Sequence, residues 1–341
     1  MNKKTSLKDI AQHLGVSTAL VSYVINHKEK QARVGPEMVK KIRQAAIDLN
    51  YQPNLIAKSL KSGRTKTIGL IVADISNPFF SMIARIIEDE AMKQGYVVIF
   101  GSSDENAEKS QNLINVYLNR QVDAFIIAPV ENTEAQIKAL HKAGIPVVLI
   151  DRYFPTVPSD NVRINNAEIS RKAVSHLIES GKKNIAMLTY KTTLAHINER
   201  TEGFKAALKD HKLRTSKKMI REASYQDIEN DVERQMRELF DGKQKVDGIF
   251  FATNSLAVLG LKIINKLGIK VPDQLAIVSF DQSDAFDFFY APLSYVSQCL
   301  NQLGEQALDL LIKRLENKAA GQKPDRYKSV IVEAKLVIRD S

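Results

Sequence analysis

A single cysteine in 341 residues, Cys299, leaves no second thiol for an intramolecular disulfide and excludes an all-cysteine zinc site. No stretch approaches the roughly 20 apolar residues that a membrane-spanning helix needs. Met1 to Asp9 hold no apolar run of the kind that directs export, so the chain reads as soluble and cytoplasmic. The patterns G-x-x-x-x-G-K-[ST], H-E-x-x-H and G-x-S-x-G are all missing, which leaves the phosphate-loop, zinc-protease and serine-hydrolase chemistries without a foothold. No metal and no cofactor is expected. The chain is 44% hydrophobic and 26% charged, enough for a sizeable core and too apolar for disorder.

The positive charge is concentrated at one end. Residues 1–66 carry 13 Lys/Arg against Asp9, Glu29, Glu37 and Asp48, a net charge of +9, whereas the other 275 residues hold 36 against 35. A basic head on a near-neutral body is the footprint of polyanion binding. In that head Ser6 is placed to cap a helix with Leu7, Ile10, Ala11 and Leu14 on its apolar face. Gly15 follows where a helix stops in the left-handed conformation. Ser17 caps a second helix running to Asn26, and Pro36 opens a third through Val39, Ile42, Ala46 and Leu49. Two short helices crossing at small Ala11 and joined at Gly15 form a helix-turn-helix, whose second helix enters a major groove. Leu55 to Lys61 is helical in pattern but only about two turns long, which is marginal in isolation. Ser62-Gly63-Arg64-Thr65-Lys66 is a polar linker.

The run from Ser6 to Asn26, followed by Leu49-Asn50-Tyr51-Gln52-Pro53-Asn54, resembles the LacI/GalR family of bacterial transcription repressors, and the resemblance extends over essentially the whole chain. It implies that Thr18, Ala19 and Tyr23 meet base edges, and that Ser17, Ser22 and Asn26 hold or approach phosphates. It also implies a hinge helix that is ordered on operator DNA, with Leu60 as the minor-groove wedge and Ala57 and Lys58 beside it.

From Ile68 onward, apolar strands alternate with amphipathic helices. One series comprises 68–73, 96–100, 124–128 and 146–150; a second comprises 184–188, 247–251 and 276–280. Continuous apolar strands between helices predict parallel sheets covered on both faces, hence two Rossmann-like halves meeting near residues 155–160. This is the periplasmic-binding-protein architecture, and the family resemblance implies the same fold with three crossings between halves. The expected organisation is an all-α helix-turn-helix head over 1–52 and a hinge and linker over 53–66. A two-lobed α/β body spans 67–341, with lobe 1 at about 67–164 and 296–327 and lobe 2 at about 165–295 and 328–341.

Ligands of open α/β folds sit beyond the carboxyl ends of the strands. Asp74, Ser76, Asn77, Phe79 and Phe80 follow the first strand, Asp151 and Arg152 the fourth, and Asn254 and Asp281 follow two strands of the second series. Carboxylates, amides and a guanidinium beside aromatic faces suit a polyhydroxylated ring. The resemblance assigns effector contacts to Phe79, Phe80, Asp151, His196, Arg200, Tyr225, Asn254 and Asp281. Asp151 and Asp281 have a duller reading as turn caps, Arg200 as a surface ion-pair partner, and Phe80 and Tyr225 as core.

The expected function is a transcriptional repressor that binds a near-palindromic operator in double-stranded DNA as a homodimer. Its control falls to a small-molecule effector, a sugar or sugar derivative, in the interlobe cleft. Whether that effector releases or secures DNA stays open. The competing reading, a binding protein or enzyme of the same two-lobed fold without a DNA role, is opposed by the basic head and the missing catalytic motifs. The end at Ser341 shows no leucine heptad, from which a dimer is expected.

Overall fold

The computed structural model describes residues 5–52, 63–214, 216–242, 245–322 and 326–339. The hinge residues assigned from the resemblance, Ala57, Lys58 and Leu60, lie outside them. The chain divides into two compact units, residues 1–65 and 66–341.

The head has three helices, α1 (Leu7–Leu14), α2 (Thr18–Ile25) and α3 (Pro36–Asp48). Local chemistry sets their ends. Ser6 and Asp9 form a reciprocal capping box, with the Asp9 N–H donating to Ser6 Oγ at 3.3 Å and the Ser6 N–H to Asp9 Oδ2 at 2.7 Å. Gly15 takes φ +66°, and its N–H returns to the carbonyls of Ala11 and Gln12. Ser17 Oγ accepts from the Leu20 N–H at 3.1 Å and opens α2. Ile10, Ala11, Val21, Val24, Ile42 and Ala45 close a small core.

The body is built on two six-stranded sheets. The first contains β1 (Thr67–Val72), β2 (Val97–Ser102), β3 (Ala124–Ile127), β4 (Val147–Ile150), β5 (Asp160–Ile164) and β11 (Ser329–Val332), in the order β2-β1-β3-β4-β5-β11. The second contains β6 (Ile185–Tyr190), β7 (Ile220–Ala223), β8 (Gly248–Phe251), β9 (Ala276–Phe280), β10 (Ser294–Ser297) and β12 (Lys335–Val337), in the order β7-β6-β8-β9-β10-β12. All pairings are parallel except β10 with β12. The covering helices are α4 (Pro78–Lys93), α5 (Ala107–Asn119), α6 (Glu134–Lys142), α7 (Asn166–Glu179), α8 (Ala195–Asp210), α9 (Ile228–Phe240), α10 (Asn254–Leu267) and α11 (Leu300–Ala319). β3, β4, β8 and β9 are buried along their whole length, as strands covered on both faces must be.

Three of the expected boundaries are corrected. The halves do not meet near 155–160, because β5 still pairs with β4 in the first sheet and the first crossing follows Ile164. Residues 328–332 do not join the second lobe. β11 pairs in parallel with β5, from Ser329 opposite Asn161 to Val332 opposite Ile164, and the Lys328 N–H donates to Asp160 Oδ1 at 2.8 Å. The last crossing therefore runs through Glu333–Ala334 into β12. The second crossing likewise comes after Ser297, since β10 pairs with β9.

In the second lobe α7 and α8 pack at very short range through Gly203. A Cβ at that position would lie 2.2 Å from the Ala167 carbonyl oxygen and 2.8 Å from Ser170 Cβ. Backbone on the facing helix leaves nothing flexible to give way, and Arg200 sits one turn earlier on the same face of α8. Gly203→Ala should therefore destabilise the body by about 1–3 kcal/mol, the usual cost of overpacking. Thermal unfolding checks this, and an unchanged midpoint would contradict the close approach.

Candidate functional site

In the head, Ser17, Thr18, Ala19, Tyr23 and Asn26 are exposed and Ser22 is half-buried, while Val21 and Val24 face the core. The face of α2 away from the core thus carries the residues assigned to DNA. Asn26 Nδ2 donates to the Ser22 carbonyl at 2.8 Å and to Ser22 Oγ at 3.3 Å, which ties two of the three phosphate candidates together.

In the body, both sheets run in the 2-1-3-4-5 order that places a topological switch point between their first and third strands. Asp74 and Asn77 follow β1 and Glu131 follows β3; Thr192 follows β6 and Thr253 follows β8. These residues, with Phe80, Glu105, Arg152, Tyr190, His196, Tyr225 and Ser255, line a cavity of about 270 Å³ between the lobes. At about 30 Å³ per water this equals about nine waters, room for a ligand of monosaccharide size. Polar links span the lobes at its rim. Tyr225 donates its hydroxyl to Asp74 Oδ2 at 2.7 Å, Thr192 to Glu131 Oε1 at 2.6 Å, and Asn254 Nδ2 reaches Asn77 Oδ1 at 3.3 Å. Another cavity, of about 310 Å³, lies at the opposite end of the first sheet beside Val147 and Tyr327, away from the carboxyl ends of the strands.

Beside the cleft is a buried charge cluster. Arg200 keeps only 2% of its surface. Its Nε donates to Asn166 Oδ1 at 2.9 Å, its Nη1 to the Ala252 carbonyl at 2.8 Å, and its guanidinium lies 3.5 Å over the Phe280 ring. Burial holds its pKa down, against the attraction of Asp281 and then Asp151. Both aspartates are buried, and neither forms a direct ion pair with Arg200 among the described residues. Burial raises both carboxyls, Asp281 to about 6. Both take left-handed backbone, φ +65° at Asp151 and +67° at Asp281, uncommon for residues with a side chain and concentrated at functional sites. Burial, reinforced by Arg152 and Arg200, holds His196 well below its usual pKa, so its imidazole is neutral. Several buried polar atoms here lack hydrogen-bond partners: Asp151 Oδ1, His196 Nδ1, Gln298 Oε1 and Arg152 Nε, the last lying 3.7 Å from Asp151 Oδ2. Unpaired buried polar atoms are costly, and their convergence on one cleft is the signature of a ligand's place.

Of the effector residues assigned from sequence, Phe80, His196 and Tyr225 line the cavity, while Asp151, Arg200 and Asp281 form the buried cluster beside it. Asn254 reaches the rim. Phe79 packs edge-on against Phe80, centroids 4.9 Å apart, within the core. Four further residues matter here. Arg152 and Glu105 form a buried pair, Asn166 carries Arg200, and Gln298 donates Nε2 to Asp281 Oδ1. The carboxyl-end rule that singled out Asp281 singles out Gln298 too, once Ser294–Ser297 is seen to be a strand.

Residues 6–54 match the bacterial regulatory proteins of the lacI family, and residues 174–341 match the periplasmic binding protein-like domain. The ribose operon repressor of Halalkalibacterium halodurans is 32% identical over 341 positions, covering 99% of this chain and 97% of its own. The chain belongs to the lacI family of bacterial regulatory proteins. As a lacI-family member it is a DNA-binding regulator of transcription and not an enzyme. The transcriptional repressor PurR of Actinobacillus pleuropneumoniae serotype 3 is 29% identical over 336 positions, with 98% of each chain covered. A LacI-family regulator of Enterococcus faecium, solved with bound ribose, is 26% identical, with a TM-score of 0.69 over 81% of this chain and 98% of its own. Among the described residues no group of three or more His, Cys, Asp and Glu is placed to hold a metal, and no helix is long and apolar enough to cross a membrane.

The raised pKa of Asp281 has a defined consequence for stability. The folded state binds this proton more tightly than the unfolded chain does, so the carboxyl costs nothing below about pH 4 and becomes a growing penalty as pH rises through about 6. Asp281→Asn, neutral throughout, should match the wild type near pH 4 and exceed it by about 2–3 kcal/mol above pH 7. Denaturant midpoints across that range test this; a variant less stable than wild type at pH 7.5 would mean that attraction to Arg200 outweighs burial.

Proposed function

We propose that this regulator acts as a repressor whose effector is a polyhydroxylated ring of pentose size, bound in the interlobe cleft. The observation that carries this reading is the buried cluster in which Arg200 attracts both Asp151 and Asp281 without touching either. Hydroxyl groups can bridge such a set, donating to carboxylates and accepting from a guanidinium, while Phe80 offers an apolar face to the ring. The ribose bound to the Enterococcus faecium regulator and the name of the Halalkalibacterium halodurans relative support the same chemical class. The PurR relative makes a nucleobase the alternative worth including in a ligand panel.

The body acts as a homodimer, so that two heads read the halves of a near-palindromic operator. Two apolar patches support this. Val97 and Phe100 stand exposed on edge strand β2 with Met82 and Met92 on neighbouring α4, and in the other lobe Phe288 is 89% exposed near exposed Tyr290. Large exposed apolar groups on an edge strand are what a partner subunit covers. Thr18, Ala19 and Tyr23 meet base edges in the major groove, Ser17, Ser22 and Asn26 hold or approach phosphates, and Ala57, Lys58 and Leu60 make the minor-groove contacts. Binding to DNA places the protein in the cytoplasm.

Isothermal titration of the full chain with D-ribose tests the effector assignment. Saturable binding of one ribose per chain is expected, weakened at least tenfold by Asp281→Asn at pH 7.5 even though that variant is the more stable protein. Absence of ribose binding, with a shift produced by a nucleobase instead, would refute the pentose assignment.

A further inference from the structure

We propose that Glu105 is a specificity residue that reserves this cleft for uncharged polyols and closes it to phosphorylated sugars by occupying the guanidinium of Arg152. The proposal rests on the reading of the cleft as a sugar site.

An arginine on the wall of a sugar-sized cavity is the side chain best suited to take a phosphate, because its planar fork pairs bidentately with oxyanions. Here both terminal nitrogens of the fork are already taken, while Nε has no hydrogen bond and lies 3.7 Å from Asp151 Oδ2. Arg152 Nη1 donates to Glu105 Oε2 at 2.8 Å and Nη2 to Glu105 Oε1 at 2.6 Å. Arg152 itself is buried, and its guanidinium lies 5.4 Å from the centroid of the Phe80 ring, so the pair forms part of the cavity wall. The backbone is bent to bring the carboxylate there. Asp104 and Glu105, directly after β2, take consecutive left-handed conformations with φ +51° and +54°. Neither residue is a glycine, and such strain persists only where the surrounding structure holds it.

Most of the other charged groups at the cavity point the same way; Lys191, also on its wall, is the exception and lies toward Asp231. Asp74 and Glu131 stand on its wall, and Asp151 and Asp281 lie in the adjoining cluster. A phosphate dianion would meet these carboxylates with Arg152 already neutralised. The unpartnered buried atoms include two acceptors, Asp151 Oδ1 and Gln298 Oε1, which call for hydroxyl donors. A neutral polyol supplies them; a phosphate ester at the same place does not.

The test measures D-ribose and D-ribose 5-phosphate by isothermal titration on the full-length wild type and on Glu105→Gln, an isosteric change that removes the charge. The wild type is expected to prefer ribose at least 100-fold. Glu105→Gln should shrink that preference at least tenfold, with ribose 5-phosphate gaining in absolute affinity as Arg152 is freed. Glu105→Asp, which keeps the charge but retracts it, should move the ratio in the same direction by less, and serves if Glu105→Gln melts too low to titrate. A wild type that binds the phosphate as tightly as ribose overturns the proposal and leaves the sugar site standing. Equal weakening of both ligands by Glu105→Gln also overturns it, since a merely structural role would have that effect. Failure of the wild type to bind either compound overturns the sugar-site reading, and this inference with it.

Discussion

A guanidinium that cannot reach water governs the body of this protein. Arg200 is almost fully buried, and an ion in such a place persists only if hydrogen bonds and opposite charges surround it. Asn166 from α7, the Ala252 carbonyl beyond β8, the face of Phe280 and the carboxylates of Asp281 and Asp151 together meet that demand. Asp151 comes from the first lobe and the rest from the second, so the charge balance of one side chain draws on both halves. Gly203 makes this possible one turn further along α8, by letting the helix sit close enough to α7 for Arg200 to reach Asn166.

The rest of the cleft repeats this arrangement. Each sheet brings its switch point to the same crevice, and the residues just past the strands carry the polar groups. Glu105, Asp151 and Asp281 all adopt positive φ just after a strand, at the cleft end of the sheet, whereas Asp104, with the same backbone, pairs with Lys109 on the surface. The outcome is a pocket rich in acceptors, in which the one arginine on the wall is committed to a glutamate.

Much of this was legible in the sequence, and the parts that were not have a common cause. Helix ends in the head are encoded by neighbours, so Ser6, Gly15, Ser17 and Pro36 mark them without help from the rest of the fold. The buried strands β3, β4, β8 and β9 announce themselves as unbroken apolar runs. β11 and β12, by contrast, are four and three residues long and only partly buried, so their sheet membership depends on partners 168 or so and 40 positions away in sequence. The same holds for the site. Asp151 and Asp281 follow from the carboxyl-end rule, and Arg200 from the family resemblance. The Glu105–Arg152 pair and the Asn166 support require knowing that β2 and β4, or α7 and α8, converge, which no local pattern states.

In the proposed function, occupation of the cleft changes the grip of the head on DNA, which requires the effector to bind the two states with different affinities. The most direct measurement is the dissociation constant of the full-length protein for a near-palindromic duplex, selected by that protein from random DNA, across a series of D-ribose concentrations at constant salt. The account predicts a change of at least fivefold that saturates with ribose, and a change in ribose affinity by the same factor when the duplex is present, since the coupling is reciprocal. A constant duplex affinity at ribose concentrations that fill the cleft would contradict it.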